Sequence, residues 1–148
     1  MIYRALHSIL ESVELDKKVS DSRLLLSKYK AEKISIDILN KYKSQYRNLS
    51  HIKIDDSTNG YIYTDNGKVI AMVNTEKKSD GFIWIQGLEV FGDNKGKGLG
   101  LALLDIAVKD LKATHLSVRK TNSVAKRMYD NYGFSTYKMD DYMYYMSI

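Results

Sequence analysis

Neither cysteine nor proline occurs anywhere in the chain. Without cysteine there is no thiol nucleophile, no disulfide framework and no thiolate metal site. Three scattered histidines, His7, His51 and His115, leave little for an all-nitrogen site, so no metal is expected. The lack of proline excludes cis-proline turns and polyproline recognition. Also missing is any apolar run near the 18 or so residues of a membrane span. The first 15 residues carry Arg4, His7, Glu11 and Glu14 where a signal peptide needs an uninterrupted hydrophobic stretch. A soluble, cytoplasmic protein without a membrane partner is expected.

What is present is enough for a self-supporting core. At 148 residues, with 44% hydrophobic and 28% charged side chains, residues 1–148 read as a single domain that can bury roughly 68–70% of its unfolded surface. Lys and Arg number 23 against 18 Asp and Glu, a net charge of +5. Ten of those bases and six of the acids lie in residues 1–50, so four of the five excess charges sit in the first third. There Lys28, Lys30, Lys41 and Lys43 are interleaved with Tyr29, Tyr42 and Tyr46, a pattern open to a nucleic-acid reading. The acids mixed among them favour the solvated side of amphipathic helices.

Residues 1–50 show helical spacing, as in Leu24, Leu25 and Tyr29 and then Ile34, Ile38, Leu39 and Tyr42. Two or three helices are expected, with Ser20 and Asp21 as N-cap candidates. Residues 51–148 turn to strands. Alternation through Tyr61, Tyr63, Val69, Ala71 and Val73 around Asp65-Asn66-Gly67-Lys68 predicts a hairpin. A second turn at residues 77–81 leads into Phe82–Val90, which reads as the longest apolar strand and the centre of the sheet. A glycine-rich loop, residues 92–100, precedes a helix to about Lys112, with Lys109 and Lys112 suited to its negative end. Then come a strand over 114–119, a helix over 122–132 closed by Gly133, and a closing antiparallel pair, 134–139 and 142–146. The tyrosines and methionines of that last strand read as core packing.

A glycine-rich turn between a buried strand and a helix gathers backbone N–H groups at the positive end of a helix dipole, a setting for phosphate. It is not a nucleotide-hydrolase P-loop: Gly92 to Gly96 spans three residues rather than four, and Gly98 follows Lys97 where Ser or Thr would bind magnesium. Nor is it a dinucleotide fingerprint, because Gly96, Gly98 and Gly100 are each two apart.

Leu88-Glu89-Val90, the loop Lys95-Gly96-Lys97-Gly98-Leu99-Gly100, and Asn122-x-x-Ala125-x-x-x-Tyr129-x-x-x-Gly133-Phe134 together resemble the acetyl-CoA motifs of the GNAT N-acetyltransferase superfamily. The resemblance covers roughly residues 60–148. Two departures stand out: Lys95 replaces the usual Arg or Gln, keeping charge without a planar fork, and Gly92 stands where relatives often have proline. The resemblance implies an α/β (α+β) fold, a mixed, mostly antiparallel sheet flanked by helices, with a helical N-terminal third.

It also implies transfer of acetyl from acetyl-CoA to a primary amine of a small molecule or protein, by direct attack and without a metal. By resemblance, Leu88 and Val90 bind the acetyl end, residues Lys95 to Gly100 hold the pyrophosphate, and Asn122 and Ala125 face the pantetheine arm. Tyr129 matches the position that protonates the departing thiolate. Glu89, beside the acetyl site, is either the group that receives the amine's proton through water or a solvent-facing or ion-paired carboxylate. His115 reads as structural. The alternative is an inactive CoA-binding module with a regulatory or nucleic-acid-associated role. The acceptor site is expected to be shaped by the N-terminal helices and the 77–81 turn.

Overall fold

The structure is a computed structural model and describes residues 2–148. The first helix, α1 (Ile2–Leu26), is a single run of 25 residues, about 38 Å at 1.5 Å per residue. Ser20 and Asp21 therefore lie inside it and cap nothing. Its C-terminal half is anchored by buried Val19, Ser22 and Leu26, whereas Leu6, Ile9, Leu10 and Val13 are each more than half exposed.

A strand follows where helix was expected. β1 (Lys30–Lys33) is a polar edge strand whose sequence Lys-Ala-Glu-Lys carries no apolar alternation. It is a strand because β2 (Thr58–Asp65) offers it a partner, with Lys30 opposite Thr64 and Lys33 opposite Tyr61. Two short helices complete this segment, α2 (Ile36–Tyr42) and α3 (Arg47–Ser50). The side chain that does cap is Ser35, whose hydroxyl accepts from the Ile38 N–H at 3.1 Å.

The expected hairpin joins β2 to β3 (Lys68–Lys77), with Asn66 at φ 50° and Gly67 at φ 80°, the signs a type I′ turn requires. Seven strands form one sheet in the order β1-β2-β3-β4-β5-β7-β6, where β4 is Ile83–Val90, β5 His115–Arg119, β6 Ser135–Met139 and β7 Met143–Ser147. All neighbours are antiparallel except β4 and β5. β4 is central in position, as the sequence suggests. The longest apolar strand is β3 instead, buried without interruption from Val69 to Thr75 because both of its faces are covered.

Each face carries its own core. On one, α4 (Leu99–Asp105) packs with Leu103 and Leu104 on Ile70, Val73, Leu116 and Met146. On the other, α2 and α3 cover Ile62, Val69, Met72 and Phe91 with Leu39, Tyr42 and Leu49. α4 continues as a wider π turn over Ile106–Asp110 and ends there rather than at Lys112, which has φ 65°. Lys109 pairs back to Asp105 at 3.1 Å instead of serving the helix end. α5 (Ser123–Tyr132) is capped by Asn122 and closed by Gly133 at φ 126°.

One buried carboxylate ties three helices together. Asp105 accepts from Arg23 Nε of α1 at 2.6 Å and from the Tyr132 hydroxyl of α5 at 2.7 Å. Arg23 also reaches Asp110 at 3.0 Å. Burial pushes the Asp105 carboxyl up, but the hydrogen bonds from Tyr132, Lys109 and Arg23 outweigh it and hold it below its ordinary value.

Candidate active site

The parallel neighbours β4 and β5 pair only at one end, where Trp84 faces His115 and the Thr114 N–H donates to the Ile83 carbonyl at 3.0 Å. Beyond that point the sheet opens along β4 toward Val90. A bulge lies in this stretch: Asn74 of β3 faces Gly87 and Thr75 faces Ile85, so Gln86 has no partner. Such an extra residue bends a strand and sharpens its twist.

A groove of about 780 Å³ lies along the opening. Its β4 wall is Leu88, Glu89 and Val90, its loop wall Lys95, Gly96, Gly98 and Gly100, and its α5 wall includes Asn122 and Ala125. Nine of the twelve residues singled out from the sequence are therefore brought together. The other three are elsewhere. Leu99 turns into the core at 3% exposure, Lys97 is exposed outside the groove, and Tyr129 is 8% exposed behind the α5 wall, against Phe134.

Gly96 and Gly98 have φ of 78° and 85°, which L side chains rarely adopt, so the loop can turn its backbone toward the groove only as glycine. At the start of α4 the first N–H groups have no partner within the helix. Asn122 both lines the groove and accepts from the Ala125 N–H at 3.2 Å. These features fit the pyrophosphate and pantetheine arm of a CoA.

The sequence reading missed the fourth wall. Lys18, Asp21, Ser22 and Leu25 project from α1 into the groove. Their i, i+3, i+4, i+7 spacing marks one helical stripe, but a mixed polar stripe reads as solvated until the loop is seen against it. Lys18 thereby supplies the second cation of the groove, in place of Lys97. Ser22 is the most specific of these contacts. Its hydroxyl accepts from the Ala102 N–H at 2.8 Å and donates to the Gly98 carbonyl, inserting itself into the first turn of α4. Ser22→Ala is expected to cost about 1–2 kcal/mol and to weaken acetyl-CoA binding together with it, read by thermal melting and calorimetric titration. A variant that loses stability but keeps full affinity would show that Ser22 does not position the loop.

Glu89 projects from the other face of β4, opposite Met72, where Asn48 Nδ2 of α3 holds both its oxygens at 3.0 and 2.8 Å. It borders a second cavity of about 490 Å³ walled by Asn48, His51, Asn74, Glu76 and Gln86. The two cavities share Leu88 and Glu89 as lining residues, one cavity on each side of β4. The 77–81 turn lines neither. Lys77, Lys78 and Ser79 border a separate shallow hollow.

Burial raises the Tyr129 hydroxyl above the usual tyrosine value, and none of the described hydrogen bonds involves it. His115 is held by ring contacts with Phe82 at 4.2 Å and Trp84 at 5.0 Å and by the Thr114 hydroxyl at 2.7 Å, a structural role. Met146 is fully buried in β7, as core packing requires, while Tyr142 beyond the strand end is exposed. Among the described residues no helix is long and apolar enough to cross a membrane.

A mixed sheet opened between two parallel strands, with a glycine loop and helix at the opening, is the arrangement that the GNAT resemblance implies. The sequence model of the acetyltransferase (GNAT) family matches residues 27–134, and the chain belongs to that family. The match begins well before residue 60 and takes in β1, α2 and α3, which carried no recognisable motif. A search of curated proteins returns no significant match. Among solved structures, the Escherichia coli ribosomal-protein-S18-alanine N-acetyltransferase is 19% identical, with TM-score 0.63, over 81% of this chain and 92% of that one. Campylobacter jejuni N-acetyltransferase PseH in complex with acetyl coenzyme A is 20% identical, with TM-score 0.54, over 81% and 97%. Arabidopsis thaliana NAA60 with a bisubstrate analogue is 15% identical, with TM-score 0.61, over 81% and 97%. These likenesses show a shared fold.

Proposed function

We propose that the chain is an acetyl-CoA-dependent N-acetyltransferase, acting by direct attack of an amine in the cytoplasm. The observation that carries this is that two cavities share Leu88 and Glu89 as walls: the glycine-loop groove on one face and the Glu89 cavity on the other. Acetyl-CoA supplies an acyl group already activated as a thioester. The backbone amides of Gly96–Gly100 hold its pyrophosphate, with Lys95 and Lys18 adding charge. Asn122 and Ala125 flank the pantetheine arm, and the Leu88–Val90 backbone orients the acetyl carbonyl.

The amine enters from the second cavity, and its nitrogen forms the new C–N bond as the C–S bond breaks. Glu89, held by Asn48, receives the amine's proton through water. The Tyr129 hydroxyl, kept protonated by its burial, gives a proton to the departing sulfur. No covalent acyl-enzyme is needed, in keeping with a chain that has no cysteine.

The lack of cysteine also makes the test clean, because a thiol-reactive dye meets no thiol in the protein and reports only released CoA. Amine-dependent thiol release from acetyl-CoA is the expected result. Tyr129 standing behind the groove wall favours one second reading, a CoA-binding module without turnover. Tight acetyl-CoA binding with no thiol release across a panel of amines would establish that reading instead.

A further inference from the structure

The second cavity contains groups that the transfer chemistry does not use. Asn74 of β3 is 5% exposed on its floor, and its Oδ1 is buried without a hydrogen-bond donor. An unpaired buried carbonyl is disfavoured and wants an N–H. The site is built around that side chain. Gly87 lies directly across from Asn74 on β4, and a Cβ there would overlap Asn74 Oδ1 and Met72 Cε. Gly87 has no positive φ to explain it, so glycine at this position serves to leave room for the carboxamide.

Two carboxylates share the same wall. Glu89 lies opposite Met72, and Glu76 lies four residues further along β3, about 13 Å away at the rise of a strand. Asn74 falls midway between them on the same face. Neither carboxylate forms an ion pair within 4.0 Å among the described residues. Lys53 is the one lysine or arginine on the cavity wall, so two carboxylates face one ammonium.

We propose that this cavity selects linear amines that carry a second ammonium group, with Glu76 and Asn74 as the specificity-determining residues. The inference rests on the acetyl-transfer reading for the reacting end of the substrate. That end lies at Leu88–Glu89, the residues common to both cavity walls. The distal ammonium pairs with Glu76, and an N–H of the same molecule supplies the donor that Asn74 Oδ1 lacks. A row of three acceptors along one face of the sheet, Glu89 on β4 and Asn74 and Glu76 on β3, disfavours an acceptor ending in a carboxylate, since Glu76 repels it. It leaves a simple alkylamine with nothing to offer Asn74 or Glu76.

The test is calorimetric titration of the full chain, in the presence of CoA, with linear α,ω-diamines of increasing length, the matched n-alkylamines and the matched ω-amino acids. The best diamine is expected to bind at least tenfold more tightly than its monoamine. Glu76→Gln brings that ratio close to one, and Glu76→Lys turns the preference toward the ω-amino acid. Asn74→Leu is expected to weaken diamine binding, with thermal melting to show that the variant is folded. Equal binding of diamine and monoamine by the wild type, or a ratio that survives Glu76→Gln, overturns the proposal. Because binding is read without turnover, the two ideas fail separately. A selectively bound diamine that yields no free thiol sinks acetyl transfer and keeps the cavity's preference. Thiol release with every monoamine and no diamine preference does the reverse.

Discussion

Tyr129→Phe is expected to lower kcat by about 10²–10⁴, the usual contribution of a positioned general acid, with the KM for acetyl-CoA little changed. The split follows from where the side chain sits. Its ring is packed against Phe134 at a centroid distance of 6.2 Å, and phenylalanine preserves that contact. None of the described hydrogen bonds involves the hydroxyl, so its removal leaves no partner stranded and costs little stability. A large loss of rate in a normally folded protein therefore reports the proton alone. The pH profile gives a second readout. Burial raises the tyrosine above its ordinary 10.0, so the acid stays loaded at neutral pH and activity falls only on the far alkaline side. That alkaline limb should vanish in the variant. Unchanged thiol release would return Tyr129 to core packing and leave the departing sulfur to find its proton in solvent.

Asp105→Ala is expected to cost about 3 kcal/mol, equivalent to a fall in Tm of about 6–12 °C for a chain of this size. The carboxylate is 1% exposed and holds Arg23, Lys109 and Tyr132 at once. Removing it leaves the Tyr132 hydroxyl and the inner edge of Arg23 unpaired. The cost lies at the lower end of the range for broken buried pairs, because Arg23 keeps Asp110. The acid limb of stability moves with it. Since the folded carboxyl lies below its ordinary 3.8, its stabilisation is complete above that value and drains away as pH falls through the lower folded one. The variant should lose that part of the acid dependence, measured as Tm against pH from neutrality downward. A melting point within a degree or two of wild type would mean that α1 is held by its apolar contacts alone.

Much of the second half was legible in residues 51–148. Asn66-Gly67 demands positive φ at both positions, so the hairpin is local chemistry. The helix over 122–132 carries its own cap at Asn122 and its own stop at Gly133. The glycine loop could be recognised because backbone conformation, rather than side-chain packing, creates the groove wall there. The first third failed where structure depends on a partner. Lys30–Lys33 has no strand pattern and becomes one only beside β2. Ser20 and Asp21 look like caps until the helix is seen to run through them. Ser22, a small polar residue on an unremarkable stripe, becomes the inserted link in α4 only when residue 98 is brought 76 positions back against it.

The same division applies to the chemistry. The missing cysteine excluded a thiol acyl-enzyme from sequence alone, and the loop glycines with the Asn122–Phe134 spacing carried the family resemblance, because each depends on residue type or on spacing within a short stretch. Tertiary structure decided which face each group serves. Neighbouring residues on a strand point to opposite faces, so Leu88 and Val90 flank the groove while the Glu89 side chain crosses to the far cavity, where Asn48 arrives from α3 and Asn74 and Glu76 from β3. No spacing along the chain records that meeting, since it is made by the pairing of β3 with β4 and by α3 folding over both.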